Sequence, residues 1–594
     1  MGAVLTALAT GLRLAWVLAV PTVPTSDFAM YRESANYLSE FGRLDPGFIY
    51  MPGFVALLAA IKNLGGDLLA QKLPGVIFGG LGAAGLYLST LALFKSRRVA
   101  VVATLAYALW PAGIATASVV GTDMPAAALL VSAIAVLAAL GPTRPLAAAI
   151  GFGVAMGAAA WVRAVALPLT ALSLGYWLAT RTRWARALAL TAVSVGATLL
   201  VLAPWAVRHA RKEGHASFTD DHGGLTALIG ANPNSEGTYT RALNQMFHDL
   251  TGKSVLDEPH HEVDQAAYAL AKDWTRFEPA YALGLACKRA ERLFDAERYL
   301  LYWSIFRPGA LVGPRAAWFE ARRSEIGSAV DVFGALVAAL ALAGVVLAAA
   351  HRRWPPLALV PFQLALTATY VVFFAEPRYR LPIELLALPF VGFALVELAS
   401  FAAALARRAW PDARRAARPL AAAGAAVVAG ALAWPALGAE GAALRARHRW
   451  AADVWTIDGA ASLAKWRAVD VRGPSSRVEG GPGGVRLGAG GARPNTVTVD
   501  LGVRAAAAYR LTMTATATAP VHLRLAAGAA TLAVADVAPG APVELVTLVV
   551  HAGGPLTLSA SVTSPSPATL LVSGVRLDHE EAPRVVPSAD APGS

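Results

Sequence analysis

Eleven stretches of this chain are apolar over a length close to what a membrane core demands, and they end abruptly at residue 437. A helix needs about 17–25 mostly apolar residues to cross a hydrocarbon layer. Runs at 3–20, 72–94, 99–119, 123–140, 146–162, 164–179, 187–207, 329–350, 355–375, 382–406 and 417–437 meet or approach that length. Of the 594 residues, 56% are hydrophobic and 15% charged, against roughly 25% charged in a soluble domain. The chain therefore reads as a polytopic α-helical membrane bundle. Its net charge of +12 comes from Lys and Arg clustered in short loops, where they set membrane orientation, so nucleic-acid binding is discounted. Cys287 has no partner for an internal disulfide. The opening "MGAVLTA" fits a myristoylation pattern but runs straight into an apolar helix. No basic residue precedes Arg13, which argues against a cleaved signal peptide.

One stretch, "MPGFVALLAAIKNLGG" at 51–66, is too short for a crossing and reads as an interfacial or re-entrant helix. Loop charge decides its role. If it does not cross, "KSRR" (95–98), Arg144, "RTRWAR" (181–186), "HRRW" (351–354) and "RRAWPDARRAAR" (407–418) share one side, which is then the cytoplasm. This parity puts the N-terminus inside and everything after residue 437 outside. Asp27, Lys72, Asp123, Arg163, Glu376, Arg378 and Arg380 then fall at the outer ends of helices. Charges at membrane depth are costly, and a set converging on one face is a candidate site.

Two readings stand for the carboxylates. Asp123, in "GTDMPAAALL", and Asp27, in "TSDFAMYRESANYL", each suit a helix start, where a carboxylate accepts backbone N–H bonds. Equally, two carboxylates on one face suit catalysis: one takes a proton from an acceptor, and the other orients the acceptor or holds a divalent cation, so Asp27 and Asp123 are the metal ligands if a metal is used. Tyr31 and Ala35 follow Asp27 on the same helical face, which makes Tyr31 a supporting residue. In "AEPRYRLPIELLALPF" (375–390), Arg378 and Arg380 are either snorkelling to the interface or clamping a phosphate through bidentate hydrogen bonds; Glu376 supports them. Arg163 and Lys72 carry the same pair of readings. Glu397, within a run, is given no role. "DEPHHEVD" (257–264) offers two adjacent histidines, which rarely chelate one ion from a regular element.

In order along the chain stand an acidic first loop with D-x3-Y-x3-A, "YMPGFVALLAA", "QKLPGVIFGG", "GTDMP" and "EPRYRLPIE". Over roughly residues 1–400 this series resembles the dolichyl-phosphate-mannose protein mannosyltransferase superfamily and its bacterial relatives, the aminoarabinose lipid A transferases included. The resemblance implies a C-type glycosyltransferase bundle, a polyprenyl-phosphate-linked sugar donor, an extracytoplasmic acceptor (protein, lipid or glycan), inversion at the anomeric carbon and a bacterial inner-membrane location. It makes Asp27 the first-loop catalytic acid. Phe28 stands where many members have Glu, and Met51 where the aminoarabinose enzymes have Lys. A transporter or flippase for a lipid-linked glycan is the alternative, although neither an internal repeat nor a midplane charge set supports it.

The sequence divides into a bundle (1–437) with a first external loop (21–71) and a large one (208–328), a basic linker (438–450), a β-sandwich (451–580) and a disordered tail (581–594). In the large loop, "GANPNSEGTYTRAL" reads as a turn set and "AAYALAKDWTRFEPAYALGLACKRAERLF" as amphipathic helices that form a lid over the site. About eight alternating strands between Gly/Pro turns argue for a jelly-roll-like sandwich. It binds a glycan or an envelope protein, or is structural alone. Trp455 and Trp466 are either sugar-stacking or core residues.

Overall fold

The computed structural model describes residues 1–231, 239, 243, 244, 247, 253–255, 260–277, 279–453, 455–458, 466–470, 478–481, 484–527 and 530–580. "GANPNSEGTYTRAL", residues 257–259 of "DEPHHEVD" and the tail 581–594 fall wholly or mostly outside these. The chain forms two compact units: residues 1–223, 258–261 and 289–438, and residues 224–257, 262–288 and 439–594.

In the first unit the long apolar runs become long helices. Among the described residues nine are long and apolar enough to cross a membrane: Gly2–Ala19, Leu68–Phe94, Asp123–Leu140, Pro145–Val162, Trp184–Glu213, Arg323–Ala350, Trp354–Val372, Pro377–Ala406 and Trp410–Arg445. The chain is an integral membrane protein. Two expected spans differ. Run 99–119 breaks into helices Arg97–Ala108 and Pro111–Thr116, because Pro111 has no N–H to continue the first ladder and instead starts a new turn. Run 164–179 is split into Ala166–Leu169, a 3-10 turn Thr170–Leu172 and Ser173–Ala179.

Stretch 51–66 forms one short helix, Gly53–Asn63, about 16 Å long at 1.5 Å per residue and so too short to span. Its first residue has to be glycine: a Cβ there would stand 2.5 Å from the Trp161 carbonyl oxygen. That close approach seats the first-loop helix against the end of Pro145–Val162, next to Arg163. Beneath it, Phe28, Tyr31, Phe48, Phe54, Leu58 and Val120 form a buried cluster. The chain after the first span is pinned from the far side of the sequence, where Val23 N–H donates to the Ala310 carbonyl at 2.7 Å. Helix Trp410–Asp453 runs on through 438–450, the stretch read as a linker, since its alanine-rich sequence favours helix.

The second unit contains an all-antiparallel sheet of seven strands: β1 (Trp455–Asp458), β2 (Trp466–Asp470), β3 (Val478–Gly481), β4 (Gly484–Ala517), β5 (Val521–Ala527), β6 (Ala530–Val537) and β7 (Val543–Glu580). The alternating stretches "NTVTVDLG" (495–502) and "AYRLTMTATA" (508–517) both lie in β4, and "VELVTLVVHA" (543–552), "LTLSASVT" (556–563) and "ATLLVSGVRLDH" (568–579) all lie in β7, because these strands continue through their bends. β7 lies on both edges of one stretch of β4, so that Tyr509 faces both Val549 and His579. Alternation along β5 buries Val521, Leu523 and Leu525 against Leu511, Met513, Leu558, Ala560 and Val562, the period-two pattern of a sheet with one dry face. Trp455 and Trp466 begin β1 and β2, and their side chains lie outside the described residues.

Candidate active site

Four helix ends supply the charged groups. Asp27 is the first residue of helix Asp27–Phe41 and Asp123 the first of Asp123–Leu140. Arg163 follows the last turn of Pro145–Val162 in extended conformation. Arg378 sits in the 3-10 turn Pro377–Arg380 that leads into Leu381–Ala406. The backbone just before Asp27 is strained: Ser26 has φ 55°, ψ −133°, a region costing an L-residue roughly 1–3 kcal/mol. Gly121 makes room at the other entry, since a Cβ there would lie 2.6 Å from the Phe28 ring.

These ends meet as two ion pairs. Arg378 Nη2 donates to Asp27 Oδ2 at 2.6 Å, and Arg163 Nη1 lies 2.7 Å from Asp123 Oδ1. Tyr379 links them, with the Arg163 and Arg378 guanidinium carbons 4.6 Å and 5.2 Å from its ring centroid. Arg378 also faces Phe28 and Trp303, each at 5.0 Å, so three rings surround the cation. Asp123 is 4% exposed and its Oδ1, although close to Arg163, accepts no aligned hydrogen bond among the described residues. Beside the pairs, Tyr31 packs on Phe48, Tyr50 and Phe54, and Tyr50 meets the His222 ring at 4.8 Å.

Burial and charge act against each other here. Burial pushes the Asp27 carboxyl up, but the Arg378 charge and hydrogen bond more than offset it and hold it below its usual range. Arg163 is driven down by burial and raised further by Asp123, for a net rise. Burial pushes Tyr31 up to about 12 and also raises Tyr50. His222 is lowered to about 4 by burial, against a small opposing pull from Asp27. At neutral pH Asp27 is thus a carboxylate and Arg163 a guanidinium, while Tyr31 and Tyr50 are neutral phenols and His222 a neutral imidazole.

The structure separates Arg380 and Lys72 from this group, whereas the Glu376 charge stays within electrostatic reach of Arg378 and Tyr379. Arg380, two residues from Arg378, is 3% exposed and held by Glu297 at 2.5 Å and Glu384 at 2.6 Å. It also donates to the Leu293 and Asp295 carbonyls, while Trp110 Nε1 donates to Glu297 at 2.8 Å. Its guanidinium is committed to protein acceptors, unlike the ring-bounded Arg378. Lys72 Nζ donates to the Thr22 carbonyl at 2.6 Å and so ties the first loop to helix Leu68–Phe94. Glu376 sits at the entry to the 3-10 turn, its carbonyl accepting from Tyr379 N–H. Asp27 and Asp123 each face an arginine. Glu397 lies 3.7 Å from His351. Met51 and Phe28 are core residues, 1% and 2% exposed. Tyr379, Trp303, Tyr50, His222 and Glu297 were not singled out from sequence; only Tyr379 carried a signal, standing between two arginines in "EPRYRLPIE".

No protein-family model matches the chain, and neither does any curated protein. Among solved structures, the chain is similar to ArnT from Cupriavidus metallidurans, solved bound to undecaprenyl phosphate, at 17% identity over 66% of this chain and 76% of that one, with a TM-score of 0.34. It is also similar to the arabinosyltransferase EmbB from Mycobacterium smegmatis, at 12% identity over 96% of this chain and 64% of that one, with a TM-score of 0.27.

Proposed function

We propose that this membrane protein is an inverting glycosyltransferase that moves a sugar from a polyprenyl phosphate to an acceptor on the extracytoplasmic face. The observation that carries the reading is the pairing of two carboxylates, Asp123 buried and Asp27 half-buried, with two arginines around one tyrosine, all at helix ends. The order of the sequence motifs supports the same reading. Loop charge supports an N-terminus inside, which puts these ends outside.

In this reaction Arg378 and Arg163 hold the donor phosphate, the group on which negative charge grows as the sugar leaves. Drawing Arg378 towards that phosphate weakens its hold on Asp27. Burial then dominates, and the carboxylate becomes a stronger base as the donor arrives. Asp27 takes the acceptor proton, the acceptor oxygen or nitrogen bonds to the anomeric carbon from the opposite face, and the C–O bond to phosphate breaks, its electron pair leaving with the lipid phosphate. Asp123 orients Arg163 and the acceptor. Tyr31 and Tyr379 shape the dry wall between the pairs. Arg380, Lys72 and Glu376 hold the scaffold.

Asp27→Asn in the purified, folded protein should abolish sugar transfer from a radiolabelled polyprenyl-phosphate donor while donor binding persists. Turnover retained by that variant removes Asp27 from the mechanism.

A further inference from the structure

Away from the arginine pairs, at the end of helix Trp184–Glu213, imidazoles gather around one carboxylate. His209 Nε2 lies 2.9 Å from Asp221 Oδ2, and His215 Nε2 lies 3.4 Å from Asp221 Oδ1. One donor atom from each of the three falls within 4.8 Å of the others. The His215 ring stands 4.8 Å from His209 and 4.6 Å from His261. His261 Nδ1 is buried and has no hydrogen-bond partner among the described residues. A cavity of about 30 Å³, room for one ion or water, shares His209 and Asp221 as lining. His260, the neighbour of His261, points elsewhere, to the Pro46 carbonyl at 2.7 Å. Adjacent histidines thus do not share an ion here.

We propose that His209, His215 and Asp221, with His261 as fourth donor, form a binding site for a borderline divalent transition metal, zinc being the best fit. Imidazole nitrogen with one carboxylate oxygen is the donor set such ions prefer, whereas calcium and magnesium select oxygen. Tetrahedral zinc with bonds of about 2.0–2.1 Å sets its ligand atoms roughly 3.3 Å apart. The two histidine–aspartate distances, to different oxygens of the one carboxylate, bracket that spacing, and the histidines have to draw closer to share an ion. Simple hydrogen bonding to Asp221 accounts for two of the rings and leaves the buried His261 nitrogen, whose ring stands against His215, without a partner among the described residues. The site is a staple: it joins the end of a long helix to the segment that carries His222, which packs on Tyr50 beside the ion pairs. It is independent of the reaction proposed above, and its test needs no sugar transfer.

The test is metal content and affinity of the full-length protein in detergent. After stripping with chelator and titration with Zn²⁺, one equivalent per chain should bind, and Co²⁺ in its place should give the intense visible bands of a tetrahedral site. Asp221→Asn and His215→Ala should weaken binding by about tenfold or more, whereas His522→Ala, at a surface histidine paired with Asp536 in the sheet unit, should change nothing. If His215→Ala does not fold, His261→Gln keeps the other three donors and should still weaken binding and alter the Co²⁺ spectrum. Substoichiometric Zn²⁺ in folded wild-type protein, or variants that bind like wild type, would overturn the proposal.

Discussion

The arginines at 378 and 380 share a sequence motif and differ in every contact, and this makes them separable by experiment. Arg380→Gln leaves Glu297 and Glu384 buried without their cation, a loss of about 3–5 kcal/mol, read as a large drop in melting temperature. Arg378→Gln removes a ring-bounded cation at a partly open pair. It should cost little stability but at least about tenfold in donor affinity, measured by lipid-phosphate binding. Titration offers a second residue-scale check. His222 binds protons in the unfolded chain near the ordinary histidine value and in the folded one only near 4. Its contribution is therefore fully present above about pH 6.5 and is lost as pH falls towards 4, by about 3 kcal/mol in all. A denaturation series across that window should show the slope, and His222→Phe should flatten it. Asp27 acts lower still: its pair with Arg378 contributes above the usual carboxylate range and is lost as pH drops through the depressed value.

At the scale of elements, the first-loop helix Gly53–Asn63 depends on one contact. Gly53→Ala would drive a methyl group into the Trp161 carbonyl, a backbone atom that cannot rotate away. The expected cost is about 1–3 kcal/mol, with weaker sugar transfer because Arg163 follows that turn; an unchanged melting curve and rate would sink this account. Elements were also where sequence reading worked best and failed most clearly. Long runs such as 123–140 showed their length and apolarity directly, and the short helix at 51–66 was recognisable by its length. The break at Leu109–Trp110–Pro111 was hidden inside an unbroken apolar run, since hydropathy does not register a missing N–H. The β-rich region was legible from its alternation, but strand count was not, because Gly and Pro in β4 and β7 mark bends that the hydrogen-bond ladder follows through. The candidate site residues Asp27, Asp123, Arg163 and Arg378 stood out as charges beside apolar runs. Tyr50, His222 and Trp303 did not, because an aromatic wall is assembled from distant segments and no spacing announces it.

For the molecule as a whole, the proposed orientation is the testable quantity. Cys287 is the one native cysteine, so Cys287→Ser gives a clean background for single cysteines placed on exposed loops. In intact cells Leu64→Cys should react with a membrane-impermeant maleimide, whereas Arg98→Cys should react only after the membrane is opened. The reverse pattern would put the ion pairs on the cytoplasmic face and end the proposed reaction as written. The Asp27–Arg378 contact has one more consequence at this scale. While paired, acid and base neutralise each other, so Asp27, although its side chain is 35% exposed, is a weakened proton acceptor. In the proposed reaction only an anionic ligand can prise them apart, so the base is unmasked by the same phosphate that then becomes the leaving group.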